Sequence, residues 1–193
     1  MSKAVLLSIR PKWCEKIISG EKTIEVRKTR PKLETPFKCY IYCTEGRPDL
    51  NIPISQERLM RDYLETGSMK SLNCPLGNGK VIGEFTCERI APITYDGGRL
   101  WCPTNAAFSP ATCLSQVEII AYIGDKGRCY GWHISDLKIY DTPKELTEFY
   151  IWRKCKSCRK SGYESTACTY DENCMVPVAI TKAPQSWRYV EEG

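Results

Sequence analysis

The chain has 193 residues, a length that suits one domain, or one domain with a large insertion, and that buries roughly 70% of its extended-chain surface. With 42% hydrophobic and 26% charged residues, and no apolar run near the 18 residues of a membrane span, the composition excludes a membrane protein, a disordered chain and a disulfide-only miniprotein. The formal charge of +5 is carried by the first 32 residues, where nine basic side chains meet only Glu15, Glu21 and Glu25, an asymmetry that favours a phosphate-bearing partner.

In chain order, Ala4 to Ile9 reads as a buried strand. This apolar run is too short for a signal-peptide core and lacks a cleavage site, so the expected location is the cytoplasm. Pro11 opens a short helix through Ile18 that stops at Gly20. Thr23 to Arg27 alternates, with Ile24 and Val26 on a core face and Thr23, Glu25 and Arg27 on a charged one. Lys38 to Thr44 and Lys80 to Ile90 are further strands. Between them, Ser55 caps a helix running to Thr66. Thr112 to Ile123 is expected as one helix ended by Gly124, and Tyr130 to Tyr140 as a strand. Strands with short helices and no regular βαβ alternation predict an α+β fold, a barrel or curved sheet with peripheral helices.

The single histidine, His133, excludes hydrolases that need two or three imidazoles, and no Gly-x-Ser-x-Gly, Walker or Gly-x-Gly-x-x-Gly motif is present. Three constellations remain. Lys22, Glu25 and Arg27 lie within six residues, a set that inside a cleft can bind phosphate, position a water or supply a base. His133 suits proton transfer, Trp132 and Trp187 stack bases, and Gln185 and Ser186 read base edges. Cys155, Cys158, Cys168 and Cys174 have the ligand spacing of a structural zinc, in a basic insertion with too little apolar content to fold alone. The other eight cysteines suit strand interiors as small hydrophobes.

The opening Ser8-Ile9-Arg10-Pro11, followed by Gly20-Glu21-Lys22-Thr23-Ile24-Glu25-Val26-Arg27, resembles the ASCH domain of the PUA-like superfamily, whose Gly-x-Lys-x-x-Glu-x-Arg signature it matches in full. Gly79 to Glu84 (GKVIGE), Tyr130 to Asp136 (YGWHISD) and Ala183 to Val190 (APQSWRYV) are similar to the small ASCH proteins of bacteria and their prophages. The likeness spans about two thirds of a single domain over residues 1–193, with insertions at about 45–78 and 150–176. It implies a β-barrel whose cleft receives the charged face of the second strand, and with it binding of RNA or a modified nucleotide, for which Arg10, Arg27, Trp132, His133, Gln185, Ser186 and Trp187 are the candidate ligand-binding residues. It also implies two enzymatic alternatives, a ribonuclease and an amidohydrolase that deacylates cytidine, with Lys22 and Glu25 as the candidate catalytic residues. Here Glu25 stands where the deacylase branch has a catalytic threonine, and Glu84 and Glu118 are the candidates for its glutamate. A protein-protein adaptor is the remaining alternative.

Overall fold

A computed structural model describes residues 3–67, 74–102, 108–155 and 174–191, the backbone alone at 108 and 109. Strand β1 (Lys3–Ile9) has six consecutive buried residues because it lies inside the sheet, parallel to β3 (Phe37–Cys43) and antiparallel to β9 (Trp187–Glu191). Its alternation divides the interior. Val5, Leu7 and Ile9 join Ile41, Phe85 and Trp132 in one cluster, while Ala4 and Leu6 join Tyr40, Tyr42 and Val81 in a second.

Helix α1 (Pro11–Ile18) starts with the predicted proline and turns out of the helix at Ser19 and Gly20, whose φ of +77° only glycine adopts cheaply. Strand β2 (Ile24–Arg27) then pairs with β6 (Arg128–Lys144), which pairs with β4 (Val81–Tyr95). The sheet order is β2-β6-β4-β3-β1-β9, with β5 (Leu100–Trp101) attached to β4. Where β4 and β6 cross, a Cβ on Gly83 would stand 2.4 Å from the Lys138 carbonyl, so no larger residue fits there.

The mixed α+β class agrees with the sequence-based expectation, but the barrel does not: among the described residues β2 and β9 are edges and the sheet is open. After four residues β2 gives way to a segment containing Pro31 and Pro36, which have no backbone N–H for a ladder. Side chains span the gap instead. The Trp187 indole N–H donates to Thr29 Oγ1 at 3.0 Å, and the Lys32 amide donates to Tyr189 Oη at 2.7 Å.

The expected helix after Ser55 is α2 (Gln56–Thr66), capped by the Ser55 hydroxyl and closed by Gly67. None of its residues is buried, and the Ser55 hydroxyl ties its start to Asp141 Oδ2 at 2.9 Å. The single helix expected over Thr112 to Ile123 is two, α3 (Phe108–Thr112) and α4 (Gln116–Ile123). Cys113 takes a left-handed φ of +55°, and Ser115 with Glu118 forms a capping box that starts the second helix. Ile119 and Ile123 of α4 pack on the outer face of β2 against Ile24 and Val26. A separate two-stranded ribbon, β7 (Tyr150–Lys154) with β8 (Met175–Ala179), completes the architecture. No helix among the described residues is long and apolar enough to cross a membrane.

Candidate functional site

The open side of the sheet borders a cleft of about 740 Å³. Its floor is built by β2. Because Glu25 pairs with Trp132 and Arg27 with Tyr130, both point to the side opposite Ile24 and Val26, as the alternation predicts. Both faces of β2 are nevertheless buried: α4 covers one, and on the other Arg27 reaches the Ser8 carbonyl of β1 while Lys22 lies against the Trp13 ring of α1. Lys22 is 2% exposed, Glu25 6% and Arg27 9%.

These three side chains form a chain of charges. Glu25 Oε2 lies 3.2 Å from Lys22 Nζ, and Glu25 Oε1 lies 3.0 Å from the Arg27 guanidinium. Lys22 Nζ also donates to the carbonyls of Ile24 (2.9 Å) and Thr112 (2.7 Å), so three acceptors surround its three hydrogens. Arg27 donates to the Ser8 carbonyl at 2.5 Å, while its Nε is buried without a partner among the described residues.

The second wall comes from α4 and its flanks: Glu118 and Tyr122 lie one turn apart on one face of α4, while Leu114 precedes its cap and Lys126 follows its end. Glu118 Oε2 accepts from the Ser115 amide and hydroxyl, both at 2.8 Å, and these bonds hold its carboxyl below the usual carboxylate range. Burial pushes the Tyr122 hydroxyl up, and Lys28 Nζ sits 5.1 Å above its ring. Trp13, Arg10, Gln185 and Ser186 complete the lining, with Lys22 Nζ 5.2 Å from the Trp13 ring.

The sequence-predicted residues therefore divide. Lys22, Glu25, Arg10, Arg27, Gln185 and Ser186 line the cleft. Trp132 does not: it shares the inward face with Glu25 but is fully buried, edge-on to Phe37 at 5.9 Å, and has no face open to a ligand. His133 is opposite Ile24 in the ladder and so lies on the other face of the sheet, where its ring meets Arg89 at 3.3 Å. Burial, together with that guanidinium, holds its imidazole below the ordinary histidine range. Trp187 braces Thr29 from behind and packs 6.0 Å from Trp132 rather than lining the cleft. Of the two glutamates, Glu84 binds the Tyr140 hydroxyl at 2.6 Å away from the cleft, whereas Glu118 is part of its wall. Sequence reasoning missed Trp13, Tyr122 and Lys126. Tyr122 carries a signal in its four-residue spacing from Glu118, whereas Lys126 lies beyond the helix stop at Gly124 and carries none.

Cys155 and Cys174 face each other where the β7–β8 ladder ends, the Cys155 amide donating to the Cys174 carbonyl at 2.9 Å. Cys158 and Cys168 lie outside the described residues, and among those described no three His, Cys, Asp or Glu side chains are grouped to hold a metal. The zinc expectation thus rests on sequence spacing together with this one juxtaposition. Protein purified under reducing conditions without chelator is expected to carry about one zinc per chain. Elemental analysis showing none removes the expectation. Of the other cysteines, Cys14, Cys39, Cys43, Cys87 and Cys129 are buried, as small hydrophobes should be.

A scan against protein-family models finds no match, and no curated protein matches the sequence. Solved structures do. The crystal structure of ASCH from Zymomonas mobilis superposes with a TM-score of 0.53 at 16% identity, covering 98% of this chain and 88% of that one. A tyrosine-to-phenylalanine mutant of the same Zymomonas mobilis protein gives 0.52 at 16% identity, over 99% of this chain and 92% of that one. A serine-to-alanine mutant gives 0.52 over 98% and 89%, again at 16% identity. With its open sheet, its covering helices and near-full coverage of these structures, the chain has the ASCH fold.

Proposed function

We propose that the cleft binds a nucleotide, as part of RNA or as a modified nucleotide, through its phosphate and base. The observation that carries this reading is the imbalance of charge in the lining. Arg10, Lys22, Arg27, Lys28 and Lys126 face only Glu25 and Glu118, and neither Arg10 nor Lys126 has an acidic partner among the described residues. Unneutralised cations around a cavity of nucleotide size favour a phosphate, and Trp13 and Tyr122 add aromatic surface for a base. The ASCH fold supports the same reading, because proteins of the family that the sequence resembles are described as RNA binders.

The deacylase alternative draws support from Glu118, whose Oε2 is fixed by Ser115 while Oε1 stays available in the same cleft as Lys22. Two features weigh against it. Lys22 offers no lone pair while three acceptors occupy its hydrogens, and Glu25 holds the place of the threonine. The adaptor alternative would gain if the triad faced bulk water, and its burial favours the other two readings instead.

A fluorescent single-stranded RNA titrated at increasing salt tests the proposal. Each phosphate neutralised contributes a slope of ~0.7 in log affinity against log salt. Binding that weakens steeply with salt is expected, and absence of binding at low ionic strength overturns the reading.

A further inference from the structure

We infer that the occupant of the cleft is one nucleotide of a continuous single strand, whose neighbouring phosphates run along the segment from Lys28 to Lys32; this rests on the nucleotide-binding reading of the cleft. Lys28 and Thr29 belong to the cleft lining, and the chain leaves the cleft through Arg30, Pro31 and Lys32 to cross the gap between β2 and β9. Lys28, Arg30 and Lys32 are all exposed. None forms an ion pair among the described residues: Lys28 meets the Tyr122 ring, Arg30 lies 6.0 Å over the Tyr130 ring, and the Lys32 ammonium has no partner. The segment itself holds no acid, and Glu34 follows beyond the last cation.

The row is held in place rather than left to wander. Thr29 accepts the Trp187 indole N–H, the Lys32 amide donates to Tyr189 Oη, and Pro31 between them is buried. Two of the three cations thus flank a buried anchor, so their ordering entropy is largely spent before a ligand arrives. Two residues of chain span at most about 7 Å, which makes Lys28, Arg30 and Lys32 a row of up to about 14 Å leading out of the cleft. A free mononucleotide has no use for that row. A strand does, because its phosphates continue past the bound base. A duplex fits less well, since its stacked and paired bases cannot enter a cleft.

The test compares heptauridylate, uridine monophosphate and a heptamer RNA duplex on the wild type and on the Arg30→Glu/Lys32→Glu variant. Wild type is expected to bind heptauridylate at least about tenfold more tightly than the monophosphate, and more tightly than the duplex. The variant should lose about tenfold or more for heptauridylate, with a salt slope smaller by about 1.4, the contribution of two single-strand phosphates, while its affinity for the monophosphate stays within about twofold. Because both side chains are exposed and free of ion pairs, its melting temperature should match the wild type. Unchanged heptauridylate affinity in the variant, or equal affinity of the wild type for monophosphate and heptamer or for duplex and single strand, overturns the strand path while leaving the cleft intact. Absence of binding to every probe instead overturns the cleft reading itself, and the strand path with it.

Discussion

Replacing Glu25 by alanine is expected to destabilise the protein by about 3–5 kcal/mol, the cost of removing one member of a buried ion cluster. The carboxylate stands between Lys22 and Arg27, with the three side chains 7%, 2% and 10% exposed. Without it two cations share a desolvated site with no counter-charge, and the carbonyls of Ile24, Thr112 and Ser8 neutralise neither. For a chain of this length the loss corresponds to a drop of roughly 6–20 °C in melting temperature. Glu25→Thr, which restores the residue type of the deacylase branch, should suffer similarly, so any assay of that variant needs its folded fraction measured alongside. Urea unfolding gives the number, and a change below about 1 kcal/mol would show that water reaches the triad.

What the sequence made legible was largely local. The alternation of Thr23 to Arg27 placed Glu25 and Arg27 together, and Pro11, Gly20, Ser55 and Gly124 marked helix ends that the structure shares. Burial of β2 on both faces was not legible, because it depends on distant segments: α4 docks from about 90 residues downstream onto Ile24 and Val26, while Ser8 and Trp13 meet Arg27 and Lys22 on the other side. The same limit explains Trp132 and His133. They are adjacent in the sequence, but adjacent strand residues point to opposite faces, so they cannot both enter one cleft. The capping box at Ser115 was a local signal, overlooked in favour of the apolar run that extends across it. Closure of the sheet is a global property, and the prolines after β2 spoke against it only once β9 was known to be the other edge.

The largest effect on binding is expected from reversing the charges that the cleft holds without acidic partners. In Lys28→Glu/Lys126→Glu one change lies at the end of the β2 floor and the other at the end of the α4 wall, so a bound phosphate would meet carboxylates from both sides. Like-charge juxtaposition at an interface costs several kcal/mol, and a loss of affinity of at least about a hundredfold follows. Both positions are exposed and neither forms an ion pair among the described residues, so the fold should tolerate the exchange. The buried triad is left untouched.

The direct measurement of the central claim is therefore the dissociation constant of single-stranded RNA for this double variant and for the wild type, at one low salt concentration and with melting curves of both. A folded variant that binds about a hundredfold more weakly is the predicted result, and a folded variant that binds within about threefold of the wild type would contradict the assignment of the cleft as the binding site.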